Sequence, residues 1–167
     1  MINDRFRLEY LKCSCGYSKK DYKMVDWTDP KSMVSKYFSV HEALYLPTWA
    51  RLATEDDGLT DEIKANLIIL CQKMDIARDY FGRSINVHVT FRPLRYNKLI
   101  GGAPNSAHAV GKACDFDISG LTCDEARAKI MADDKLDEWN MRMEKRDGSD
   151  WIHLDCYPVL HSRYFLP

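Results

Sequence analysis

The sequence predicts an α+β fold: a small antiparallel sheet with helices on one face and a polar, ligand-bearing surface on the other. Three observations lead there. Ile63, Leu67, Leu70, Met74, Ala77 and Phe81 recur three or four residues apart, one apolar stripe on a long helix. Residues 113–118 and 151–156 alternate, with Cys114, Phe116 and Ile118 on one side of the first and Ile152, Leu154 and Cys156 on one side of the second. Their opposite sides then gather Asp115, Asp117, His153 and Asp155. So much acid and imidazole on one sheet face is costly unless something cationic sits there.

A length of 167 residues suits one domain with a core of ordinary size. We divide it into an N-terminal arm, residues 1–37, and a folded domain, residues 38–167. The formal net charge is −1 and no basic block stands out, which argues against a nucleic-acid partner. No apolar run approaches the roughly 18 residues of a transmembrane span, and we expect a monomer. The opening residues lack the apolar core of a secretory signal, so the chain as written is expected to be made in and kept to the cytoplasm. Most of the six cysteines are then expected as thiols, with Cys71, Cys114 and Cys156 acting as small core residues. Cys13 and Cys15 invite a metal reading, but no further ligands nearby complete a set of four.

Along the chain, Ser39 and Glu42 form a capping box, with Phe38 placed to staple onto Ala43 and a short helix ending near Pro47. Thr60 is the N-cap of the long helix and Gly82 its stop. Residues 85–91 alternate as a strand that Arg92 and Pro93 end, and a loop runs on through Pro104. Thr122 and Glu125 cap a helix to about Ala132. Trp139, Met141 and Met143 alternate with Asn140, Arg142 and Glu144, a strand that Asp147-Gly148 turns back into residues 151–156.

The chemistry concentrates in residues 101–117, GGAPNSAHAVGKACDFD. A loop there presents His108 and a strand presents Asp115. With His153 they make two imidazoles and a carboxylate, a standard set for catalytic zinc with a fourth position open. Zinc so held lowers the pKa of a water to about 7 and polarises a carbonyl. Asp150, three residues before His153, is the candidate base. Arg92 leaves its strand as a cation able to hold a carboxylate or a developing oxyanion. Asp117 and Asp155 are expected to support the site, while His41, His88 and His161 read as surface or packing residues.

These residues carry a resemblance. Ser106-Ala-His108-Ala-Val-Gly111-Lys-Ala113-Cys-Asp115 resembles the S-x-H-x-x-G-x-A-x-D motif of the zinc D-alanyl-D-alanine carboxypeptidases, the M15 peptidases. Asp150-Trp-Ile-His153 is similar to that family's later acid-x-x-His element. Thr90-Phe-Arg92, Tyr96-Asn97 and Gly101-Gly102-Ala103 resemble the stretch that precedes the main motif in one branch, as does the ending Arg163-Tyr-Phe165. The arginine stretch departs from the branch's Ser-Gly-Tyr-Arg, and the base is Asp where several members carry Glu.

The resemblance implies the fold shared by these peptidases and the zinc domain of hedgehog proteins. It implies one Zn2+ on His108, Asp115 and His153, Asp150 as general base, Arg92 as the substrate- or transition-state-stabilising arginine, and Ser106 near the substrate. The implied substrate is a peptidoglycan stem peptide, cut at D-Ala-D-Ala or at a neighbouring L,D bond. A chain without a secretory signal would reach the wall as a phage lysis enzyme or a virion component. The competing reading is a zinc-stabilised binding or virion structural module of the same fold without turnover.

Overall fold

The computed structural model describes residues 25–166. Helix α1 (Val40–Leu44) opens with the expected capping box: the Ser39 side chain accepts from the Glu42 N–H and the Glu42 carboxylate accepts from the Ser39 N–H. The chain leaves the helix at Tyr45. Strands β1 (Tyr45–Leu46) and β2 (Arg51–Leu52) form a short hairpin around a 3-10 turn that Pro47 opens, a hairpin the sequence reading did not anticipate. Helix α2 (Asp61–Phe81) is the long helix of the sequence reading. Thr60 Oγ1 accepts from the Ile63 N–H, and Gly82, at φ 61°, ends it in the left-handed region. Its Leu67, Leu70, Met74 and Ala77 are buried, with Ile63 and Phe81 at the margins.

Five strands make the main sheet: β3 (Ile85–Val89), β4 (Ala113–Ile118), β5 (Arg142–Glu144), β6 (Ile152–Asp155) and β7 (Tyr164–Phe165), in the order β3-β4-β6-β5-β7. All neighbours are antiparallel except β5 and β7, which run parallel. Cys114, Phe116, Ile118, Met143, Ile152 and Leu154 bury one face in a core shared with α2, with α4 (Cys123–Ala132) and with α5 (Lys135–Trp139). Burying each large side chain contributes roughly 1.5–3 kcal/mol. The small antiparallel sheet backed by helices is the architecture that the alternation predicted.

Several elements differ from expectation. The stretch after Pro93 is not all loop: α3 (Leu94–Leu99) forms there, held by the buried Tyr96 and Asn97 and by the Asn97 N–H on the Pro93 carbonyl. Trp139 is no strand residue. It closes α5, Asn140 turns at φ 48°, and only Arg142–Glu144 pairs as a strand. Trp139, Met141 and Met143 are all buried, but from a helix end, a turn and a strand in succession. Cys156 lies beyond the end of β6 and is only partly buried, whereas Cys71 and Cys114 are in the core. Of the N-terminal arm or extension, residues 25–37 are described, and they contact the folded domain. Val34 joins the core, and the Asp75 carboxylate accepts from the Ser35 hydroxyl and from the Lys36 and Tyr37 N–H groups. Cys13 and Cys15 fall outside the described residues. No described helix is long and apolar enough to cross a membrane.

Candidate metal centre

The β4–β6 ladder sets Asp115 directly opposite His153. Side chains of paired residues share a face, so the carboxylate and the imidazole meet above the sheet. The third group arrives from the 3-10 turn Ala107–Val110, which ends at Gly111. Two bonds fix that turn: the Arg92 N–H donates to the His108 carbonyl at 3.0 Å and the Asn66 amide donates to the Val110 carbonyl at 2.9 Å. Gly111 has φ 69°, and a Cβ there would stand 3.0 Å from the Ile63 carbonyl. Only glycine brings the turn this close to α2.

The three donor atoms converge. His108 Nε2 lies 3.2 Å from His153 Nδ1 and 3.1 Å from Asp115 Oδ1, and His153 Nδ1 lies 2.7 Å from the same oxygen. Donors on a tetrahedral centre with bonds of about 2.0–2.1 Å sit about 3.3 Å apart, so the set fits a small divalent ion. The tautomer fits as well. His108 Nδ1 is 2.7 Å from the Thr90 carbonyl, which can only accept. Nδ1 therefore carries the proton and Nε2 offers its lone pair to the cluster.

Burial and charge compete at each member. Burial wins at His108, which is fully enclosed and held below its ordinary value toward the neutral ring. At His153 burial opposes the charge, but the carboxylates of Asp115 and Asp155 outweigh it and raise the ring to about 9. Burial also works against the charge on Asp115, and His108 and His153 hold it well below the usual carboxylate range all the same. Without an ion, Asp115 is balanced by Arg92 and by a proton on His153.

Around the triad stand three charged groups. Arg92 Nη2 lies 3.5 Å from Asp115 Oδ2, and Arg92 Nε is buried with no hydrogen-bond partner among the described residues. Asp155 is 1% exposed, accepts two bonds from Arg142 and faces His153 Nε2 at 3.7 Å. Arg142 escaped the sequence reading, although it shares the polar side of its alternation with Glu144.

The structure thus gathers Arg92, His108, Asp115 and His153. It does not draw Asp150 or Ser106 into the same hydrogen-bonded cluster. Asp150 is exposed in the bend before β6, with no hydrogen bond among the described residues. The bend itself is anchored. Arg127, buried in α4, bonds Asp124, the Ser149 hydroxyl and the Trp151 carbonyl, and Asp124 accepts from the Gly148 N–H. Ser106 opens the turn that carries His108, its carbonyl accepting from the Ala109 N–H at 3.0 Å. Asp117 turns away to His88 Nε2 at 2.7 Å and to Asn86, so it orients no ligand of the triad.

Comparison with known proteins agrees with the geometry. No curated protein and no solved structure matches the chain. The sequence profile of one family, Peptidase M15, matches residues 48–155. That span covers well over half of the chain and includes all three converging donors. By that match the chain belongs to the M15 peptidase family.

Proposed function

We propose that this peptidase is zinc-dependent and hydrolyses peptide bonds in peptidoglycan stem peptides, at D-Ala-D-Ala or at a neighbouring L,D bond. The observation that carries the reading is the meeting of His108, Asp115 and His153 at the spacing of a tetrahedral ion, two of them inside a complete S-x-H-x-x-G-x-A-x-D motif. Zinc held by those three atoms would supply Lewis acidity toward a scissile carbonyl and toward water. The chain's own groups supply the rest. Arg92 carries an unpartnered buried N–H beside the triad, suited to a substrate carboxylate or to the oxygen that gains charge as the carbonyl is attacked. The sequence motif puts Ser106, which opens the His108 turn, forward as a substrate contact. The attacking water must lose a proton and the departing amine must gain one. The sequence motif puts Asp150 forward for that exchange.

Incubating purified protein with muropeptides and reading the products by mass spectrometry tests this. Release of D-Ala, or exposure of a new amine within the stem, is expected. Chelator, His153→Ala and Arg92→Ala should each abolish it. Bound zinc with no cleavage of any stem peptide would instead support a zinc-stabilised module without turnover.

A further inference from the structure

On the helix side of the sheet, α4 and the chain that leaves β5 do not close on one another. They leave a cleft of about 250 Å3. Sites for drug-sized ligands run to about 300–1,000 Å3, so this one suits something smaller. The void beside Cys71 and Cys114, at about 10 Å3, has room for a water at most. The floor of the cleft is apolar. Met143 is fully buried and points to the core side of β5, the face opposite Arg142 and the triad. Asp124, Arg127, Ala128 and Met131 line the cleft at helical spacing, so one face of α4 makes its wall.

Three polar groups around this cleft are uncommitted. Arg127 is 4% exposed. Its terminal nitrogens are taken by Asp124, by the Ser149 hydroxyl and by the Trp151 carbonyl, yet its Nε is buried with no partner among the described residues. A buried donor left unpaired is costly, and an acceptor in the cleft would supply the missing partner. Lys145, exposed at the rim, lies 5.1 Å from the Tyr164 ring and has no ion pair among the described residues. Asp147, two residues on, has neither hydrogen bond nor ion pair there. Asp124 is already occupied, accepting from Arg127 and from the Gly148 N–H. The free groups are therefore one cation, one buried N–H and one carboxylate, over methionine. A simple carboxylate would leave Asp147 unmatched, and a simple amine would leave Lys145 unmatched. A zwitterion matches both.

We infer that this cleft binds a free α-amino acid with a small apolar side chain. Its carboxylate lies against Lys145 and Arg127, its ammonium against Asp147, and its side chain on Met131 and Met143. The ligand then rests on the same guanidinium that anchors the bend carrying Asp150. Neither zinc nor turnover enters into this binding, so it stands whether or not the peptidase reading does.

Methyl NMR of the full chain, labelled at its methionine methyl groups, tests it with L-alanine and D-alanine as probes. The Met131 and Met143 signals should move saturably with at least one of the two, and equally with zinc present or chelated. Propionate and ethylamine, each carrying half of the charge pattern, should bind about 10-fold more weakly or worse, the size of one lost charged hydrogen bond. Lys145→Gln and Asp147→Asn should each weaken alanine by a similar factor. Both positions are exposed, and asparagine suits the turn, so neither change should alter the thermal midpoint. Met131 and Met143 signals that stay put with both alanines overturn the inference. So does a response that the two variants leave unchanged, one that propionate or ethylamine reproduces in full, or one that vanishes when zinc is chelated.

Discussion

Arg142 grips Asp155 through two parallel bonds, Nε to Oδ1 and Nη2 to Oδ2, each 2.8 Å long. The carboxylate is thereby fixed with Oδ2 toward His153 Nε2, the nitrogen not used in the triad. A carboxylate in that position orients a ligand imidazole and raises its basicity. Asp155→Asn should therefore weaken zinc affinity by about 10–100-fold. Competition against a chromophoric chelator measures it, and an unchanged affinity would reduce the pair to a purely structural clasp.

Acidity should set metal uptake. In metal-free protein His153 titrates near 9, above its usual value, because Asp115 and Asp155 outweigh its burial. A raised histidine stabilises the metal-free fold fully below its unfolded value of about 6.5, and that contribution is lost as pH rises through the folded value. The same proton competes with a cation. Zinc uptake should release close to one proton below pH 9, and affinity should fall as the solution is made more acid. Calorimetry in buffers of differing ionisation enthalpy reads the proton count. A count near zero at pH 7 would contradict the assignment.

Gly111 is the hinge pin between the His108 turn and α2. Alanine there would be strained at φ 69° and would press on the Ile63 carbonyl and the Leu67 side chain. We expect Gly111→Ala to cost about 2 kcal/mol or more. At about 2–4 °C per kcal/mol for a chain of this size, a thermal melt would resolve the loss. The same variant should bind zinc more weakly, since His108 sits three residues away.

Arg127 should govern the hairpin bend without touching the triad. Its guanidinium joins α4 to Ser149 and Trp151, and lysine cannot reproduce the fork. Arg127→Lys is expected to speed amide exchange over residues 148–151 and to lower stability by about 1–3 kcal/mol. Zinc stoichiometry should be unchanged, because His108, Asp115 and His153 are anchored elsewhere.

Much of this arrangement could be read from the chain. The 3.6-residue stripe of α2 and the in-step alternation of β4 and β6 depend on local periodicity, and they formed as expected. The meeting of His108, Asp115 and His153 was legible because their spacing and their sheet face agreed. What escaped was decided by tertiary packing. Trp139 alternates with its neighbours like a strand residue, yet Asn140 can adopt positive φ and the chain buries Trp139 from a helix end. The hairpin at Tyr45–Leu52 depends on Pro47 and on Ala50 at φ 51°, a conformation alanine does not advertise.

Asp115 and His153 face one another only because β4 and β6 are aligned as they are. Slide β6 by a single residue and Ile152 or Leu154 stands in the imidazole's place, so no near-miss alignment retains a partial grip on an ion. A divalent cation present during refolding would thus reward one strand alignment and no other. Chelation would then double as a proofreader of the sheet.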